Sequence, residues 1–377
     1  MALKIVCSGY LFRHPAGGHT WHHLQYLIGL QNLGHEVVFV EEHGWPKSCY
    51  DPSRHVMTSD PSYGIQYMTS VFERANMGTR WCFMAEDQST YGMSREELAD
   101  FCSESDLYLA LSNMNTCEEL ALCRRRAMVD TDPAFTQIGA HGNGPPLSDY
   151  HILFTFGENV HQPGCHMPTA DLSWLSTRQP VVVESWPSSI GDPAAPISTI
   201  MNWTAYGGRS HEGRFFGQKD LEFPPYFDLP SKTGADMKIA INGPDAIKAR
   251  LAAGGWELAD PSEISRDPWW YQDYISASRA EFCVAKHAYV STRCGWFSDR
   301  SSAYLAMGRP VVLQDTGFSD FLPVGEGLLA FRTPDEAVRA LSSLDTDYEL
   351  HSRRARALIE DYFEATKVLT KLLEDCF

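Results

Sequence analysis

The sequence predicts an α/β protein made of two doubly wound, Rossmann-like domains facing each other across a cleft. Three observations carry that prediction. The chain has 377 residues, more than one hydrophobic core usually organises. Short β-rich runs alternate with helical patterns along its length, which is how parallel α/β layers read from sequence. A stretch rich in Pro, Ser and Gly, WPSSIGDPAAP from Trp186 to Pro196, separates two halves of similar design, as a linker would. We therefore expect a first domain over 1–190, a second over 197–347, and a helical segment over 348–377.

The elements follow in order. Residues 4–8, KIVCS, form a first strand. A helix is expected over 20–33, where Leu24, Leu27, Ile28 and Leu30 recur at helical spacing and Gly34 is placed to cap the end. A strand restarts over 35–41. Between the first strand and this helix stands HPAGGHTWHH, in which Gly17 and Gly18 are expected to make a tight turn. This unit opens a Rossmann-like sheet, whose ligands sit outside the carboxyl ends of the strands. Further strands are expected at 106–111, 126–130, 151–156 and 180–183. The second half restarts with strands at 197–203 and 237–242, a helix after Pro244, and strands at 281–290 and 310–313. Thr333, Pro334 and Glu336 form a helix start, with Thr333 as N-cap and Glu336 completing a capping box.

Composition excludes several classes. Apolar residues make up 44% of the chain, so it is not a disordered protein. A formal net charge of -17 argues against a nucleic-acid partner and against stable association with an anionic membrane. No charged leader followed by an apolar core opens the chain, and no apolar run is long enough to span a bilayer, which suggests the cytoplasm. The ten cysteines show no C-x-x-C pair and read as reduced thiols.

The most informative stretch runs Arg293-Cys294-Gly295-Trp296-Phe297-Ser298-Asp299-Arg300-Ser301-Ser302, followed by Gly308-Arg309-Pro310-Val311-Val312. A strand ends, a glycine permits close approach, and small hydroxyl residues open a helix whose free N–H groups and dipole suit an anion. Arg293 and Arg300 add donors suited to phosphate.

This layout resembles the nucleotide-sugar-dependent glycosyltransferases of the two-domain GT-B fold. One large inverting branch carries the donor motif H-C-G-W-N-S, of which Cys294, Gly295, Trp296 and Ser298 are kept. Arg293 replaces its phosphate-binding histidine, Phe297 its asparagine, and Ser301 its ribose-binding glutamate. The retaining branch, with glutamates spaced E-x7-E, fits less well because the second glutamate position is Ala303.

The resemblance implies sugar transfer from a nucleotide diphosphate-sugar to a small-molecule acceptor, with inversion and with neither cofactor nor metal. It also implies that the C-terminal helix packs back on the first domain. The donor would meet Arg293, Gly295, Ser298, Arg300, Ser301 and Ser302, with Arg209 and Lys219 on the diphosphate. Asp315, Thr316 and Gly317 either contact the sugar or form a type II turn around Gly317. His19, at the end of the Gly-Gly turn, matches the inverting branch's general base, with Asp130 or Asp132 as the carboxylate behind it. Gly17, Gly18, His22 and His23 would line the acceptor pocket, a reading preferred over zinc at the i,i+4 pair His19 and His23. Three rivals share some features: a nucleotide-sugar epimerase, an inactive helper protein, and a metal-dependent single-domain transferase using Asp130-Thr131-Asp132.

Overall fold

The computed structural model describes residues 2–139 and 146–377. Strands β1 (Lys4–Ser8), β2 (Glu36–Glu42), β3 (Cys49–Asp51), β4 (Val56–Thr58), β5 (Trp81–Met84), β6 (Thr90–Gly92), β7 (Leu107–Leu111), β8 (Arg126–Asp130), β9 (Ile152–Thr155) and β10 (Leu175–Ser176) belong to the first domain. Eight of them form one sheet in the order β10-β9-β8-β7-β1-β2-β5-β6, and β3 and β4 pair as a hairpin beside it. Every neighbouring pair in the sheet is parallel except β5 with β6. The central strands are continuous apolar runs, such as LYLAL in β7, because helices cover both faces of a parallel sheet.

The second domain carries β11 (Ile197–Asn202), a hairpin of β12 (Arg209–His211) and β13 (Arg214–Phe216), β14 (Met237–Asn242), β15 (Glu257–Ala259), β16 (Ala280–Cys283), β17 (Val311–Gln314) and β18 (Leu328–Phe331). Six of these form an all-parallel sheet in the order β15-β14-β11-β16-β17-β18. The molecule is thus two Rossmann-like α/β domains, as the sequence predicts.

Four local expectations are corrected. The first helix runs Gly17–Asn32 and so includes both glycines in its first turn. Its C-terminal end is where Gly34, at φ +86°, receives the chain in the left-handed region and donates its N–H to the Gln31 carbonyl at 2.8 Å. The strand expected over 281–290 stops at Cys283, and His287–Thr292 is a short helix. Its β-branched Val290 and Thr292 imitate a strand in sequence, but tertiary packing decides the outcome. Residues 180–183 join no sheet; Val181 makes a lone parallel bridge to Glu364. Glu336 gives its carboxylate to the Arg332 N–H at 2.7 Å, one residue before the position a reciprocal box needs, while its own N–H is capped by Thr333 at 3.3 Å.

The C-terminal segment explains the Val181 bridge. It is two helices, Tyr348–Tyr362 and Ala365–Cys376, broken where the chain recrosses to the first domain. There the Val181 N–H donates to the Phe363 carbonyl at 2.7 Å and the Ala365 N–H to the Val181 carbonyl at 2.9 Å. Glu364 starts the last helix by accepting the Thr366 and Lys367 amides. That helix lies on Gly17–Asn32 so closely that a Cβ on Gly29 would stand 2.5 Å from Leu369 Cδ1. The packing back of this helix is as expected.

Candidate functional site

Residues following the carboxyl ends of several first-domain strands converge on one pocket. Tyr10 comes from the loop after β1, Leu111 from the end of β7, and Thr131, Phe156 and Gln179 from beyond β8, β9 and β10. His19, His22 and His23 enter from the first helix, and Trp296 and Asp299 close the wall from the second domain. The pocket therefore sits at the ligand edge of the sheet and spans both domains.

Gly17 and Gly18 have a different task from the one expected. The Gly17 N–H donates to the Ser265 carbonyl at 2.8 Å. A Cβ on Gly17 would fall on the Asp267 carbonyl oxygen, and one on Gly18 would lie 3.0 Å from the Tyr271 ring. They are glycines because the second domain docks on this helix start. Gly18 still borders a smaller pocket next to the first, beside Trp186, Tyr271 and Ser302.

The three histidines differ in their partners. His19 places Nε2 3.1 Å from the Tyr10 carbonyl oxygen, so that nitrogen carries the proton and donates, and Nδ1 keeps the lone pair. Its ring lies 4.3 Å from the Tyr10 ring and 4.6 Å from that of His23. Burial, then the neighbouring His22 and His14, push its pKa down to about 3. His23 donates from Nδ1 to the His19 carbonyl at 3.0 Å. Its Nε2 is buried against Gly9 with no hydrogen-bond partner among the described residues, and any Cβ at Gly9 would strike it. Burial holds its pKa well below the ordinary value. His22 faces the other domain, with Nδ1 4.0 Å from Asp299 Oδ2. Burial lowers its pKa, and Asp299 works in the opposite direction.

The carboxylates expected behind His19 are engaged elsewhere. Asp130 is buried and accepts from Gln137 Nε2 and Thr155 Oγ1, each at 2.7 Å, and from the Asp132 N–H at 2.9 Å. Burial raises its pKa against those bonds. Asp132 reaches across the domains, accepting from Lys286 Nζ at 2.9 Å and from the hydroxyls of Tyr206 and Tyr289. Neither bonds His19. Asp130-Thr131-Asp132 is a structural corner and an inter-domain tie.

On the donor side the motif residues divide. Ser298 caps the Asp299–Ala306 helix, accepting the Ser301 N–H at 3.3 Å, while Ser302 Oγ donates to the Asp299 carbonyl at 2.6 Å and Ser301 Oγ is buried with no hydrogen-bond partner among the described residues. The amides of Asp299 and Arg300 make no hydrogen bond among the described residues, but Asp299 puts a negative charge in the first turn. Arg300 is turned inward onto Glu281 at 2.5 Å and Cys283 Sγ at 2.8 Å. Lys219 is buried beside it and makes no ion pair among the described residues. Burial first, and then the charge of Arg300, lower its pKa to about 8.

Six further expected donor residues are used within the protein. Arg293 is in the left-handed region at φ 50° and pairs with Asp320 at 2.9 Å. The Gly295 N–H, at φ +82°, donates to the Thr316 carbonyl at 2.9 Å. Thr316 Oγ1 donates to the Trp296 carbonyl at 2.5 Å, and the Gly317 N–H to Asp315 Oδ1 at 2.8 Å. Asp315 also takes Ser319 and Arg332; burial would raise its pKa, but these bonds outweigh it and hold it below the ordinary value. The 315–317 corner is a turn whose polar groups are taken by neighbouring protein groups. Arg209, from β12, donates to the Phe135 carbonyl of the first domain at 3.3 Å.

Sequence reading missed Asn159, which locks the two domains. Its Nδ2 donates to the Gly317 carbonyl at 3.0 Å and the Arg293 carbonyl at 3.3 Å, and its backbone N–H to the Cys294 carbonyl at 2.9 Å. Gln179 and Asp299 were also missed as pocket walls. Asp299 stands inside the quoted motif, and Lys286 stands just past β16, where the strand-end rule would have found it. Among the described residues, no group of three or more His, Cys, Asp or Glu is placed to hold a metal ion, and no helix is long and apolar enough to cross a membrane.

Two Rossmann-like domains, an inter-domain pocket at the strand ends and a C-terminal helix returned to the first domain define the GT-B architecture. Solved structures share that fold over the full chain. An alpha-glucosyltransferase in complex with UDP and a 13-mer DNA is 10% identical, with a TM-score of 0.61 and coverage of 100% of both chains. AviGT4, a glycosyltransferase involved in avilamycin A biosynthesis, is 13% identical with a TM-score of 0.54, covering 99% of this chain and 96% of that one. HepE of Anabaena, in complex with UDP and glucose, is 9% identical with a TM-score of 0.57 and 99% coverage of both. No protein-family model and no curated protein sequence matches the chain. The exclusion of nucleic acid on charge grounds is corrected by these findings, because the same architecture holds DNA in the alpha-glucosyltransferase. Net charge is a global sum and does not describe one face of a cleft.

Proposed function

We propose that the protein is a glycosyltransferase that moves a sugar from a nucleotide diphosphate-sugar to an acceptor hydroxyl in the inter-domain pocket. The observation that carries this reading is the pocket itself, walled by histidines from one GT-B domain and by Trp296 and Asp299 from the other. The acceptor would enter from the first domain and the donor from the second. Lys219 supports the donor assignment: a buried ammonium with no ion pair among the described residues suits a diphosphate, whereas the charge of Arg300 is already met by Glu281. That ammonium supplies charge that a divalent ion supplies in other transferases, so activity is expected to persist in chelator. A histidine on the pocket wall favours inversion, in which a base takes the acceptor proton. Ten free cysteines fit the reducing cytoplasm.

Calorimetry with UDP, GDP and TDP, followed by product analysis with the matching nucleotide-sugars, tests the reading. Acceptor arms should include small aromatic alcohols and duplex DNA. Binding of one nucleotide diphosphate, weakened about tenfold or more in Lys219→Ala, is expected for loss of a charge-assisted contact. No binding at millimolar ligand would overturn the proposal. Conversion of the donor without any acceptor would point to an epimerase instead.

A further inference from the structure

Three histidines reach the pocket, and His22 is the one of them that meets a carboxylate. His19 points its N–H at a backbone carbonyl and is wedged between the Tyr10 and His23 rings. His23 gives Nδ1 to the helix backbone and has Nε2 sealed against Gly9. His22, half-buried like His19, lines both pockets and directs its Nδ1 at Asp299 Oδ2 of the other domain.

Resting on the sugar-transfer reading, we propose that His22, rather than His19, takes the proton of the acceptor hydroxyl, and that Asp299 positions it from across the cleft. The acceptor oxygen forms its bond to the anomeric carbon as the bond from that carbon to the diphosphate oxygen breaks. The electron pair leaves with the diphosphate. The acceptor proton passes to His22 Nε2, and the imidazolium is held through Nδ1–H by the Asp299 carboxylate. Histidine and carboxylate belong to different domains, so the base is complete only when the domains are together. At 4.0 Å the pair is longer than a hydrogen bond, and about 1 Å of further approach would bring it within bonding length. Such tightening on substrate binding is common for catalytic contacts.

The surroundings favour this histidine. Tyr26 and His23 on its own helix lie 5.8 and 5.1 Å away by ring centre, and Phe156 presents its ring at 6.0 Å. His19 and Tyr10 share the pocket wall. Asp299 is the charged group that opposes the effect of burial on His22, whereas the neighbours of His19 add to it.

The test compares His22→Gln, Asp299→Asn and His19→Gln in the full-length protein. It measures kcat and KM across pH, nucleotide binding by calorimetry, and the imidazole titration of His22 by NMR. His22→Gln should lower kcat by about 100-fold or more, the usual span for a lost general base, with nucleotide affinity held. Its loss should exceed that of His19→Gln at least about tenfold. Asp299→Asn should shift the His22 titration and the acid limb of the kcat profile to lower pH. A larger kcat loss in His19→Gln overturns the assignment, as does a His22 titration unmoved by Asp299→Asn. If the parent binds nucleotide but transfers no sugar to any acceptor, the sugar-transfer reading is what has failed. The titration, which needs no turnover, would still report whether the pair exists.

Discussion

Acid should unfold this protein through its pocket histidines. His19 is neutral in the folded state down to about pH 3, whereas in the unfolded chain an imidazole titrates near 6.5. A folded pKa below the unfolded one means the contribution is fully present above about pH 6.5 and is lost as the pH falls toward about 3. Between about pH 7.5 and about pH 5.5 the unfolded chain gains about 1.4 kcal/mol from protonating one such histidine, and the folded state gains almost nothing. His23, also held well below its ordinary value by burial, should act in the same direction. Urea unfolding at the two pH values measures the loss directly. Carboxylates contribute too, so the informative quantity is the difference between parent and His19→Gln. The variant should lose about 1.4 kcal/mol less than the parent over that interval. Equal losses in both would show that His19 is not held neutral, and the burial argument for that helix would be wrong.

Two further outcomes follow from the domain contact. Gly17→Ala should destabilise the protein by about 1–3 kcal/mol, because the new methyl meets the Asp267 backbone and not a movable side chain; thermal unfolding measures the loss, and small-angle scattering should report a wider cleft. Asn159→Ala strips donors from the Gly317 and Arg293 carbonyls and should cost about 1–3 kcal/mol, with raised hydrogen exchange around 293–295 and 315–317 as the check.

Much of the architecture was legible because it rests on local signals. The apolar runs of β1, β7 and β8, the helical spacing of Leu24, Leu27 and Leu30, and Gly34 at a left-handed position each follow from a few adjacent residues. The pocket histidines were found for a similar reason, since the first strand and helix fix which edge of the sheet they occupy. What could not be read was partnership. Asp130 and Asp132 sit at a strand end and look free in sequence, yet Gln137, Thr155, Lys286 and two tyrosines take their oxygens. Gly17 and Gly18 look like a ligand turn, but the segment they admit is 248 positions away or more, at Ser265 and beyond. Long-range contacts of this kind leave no periodicity in the chain. The Asp299 contact was missed for the same reason: a charge in the first turn of a helix is a common local preference, and only the opposite domain gives it a partner.

The return of the chain at Phe363 to Ala365 gives the cleft a mechanical character. The backbone passes between domains twice, once through 186–196 and once at the Val181 bridge to Glu364. Two fixed points define a line, and rotation about that line is the motion that stretches neither crossing. The cleft should therefore swing as a door does on two pins, with sliding and twisting suppressed. Docking of Gly17 on Ser265 and of Asn159 on Gly317 would then act as latches.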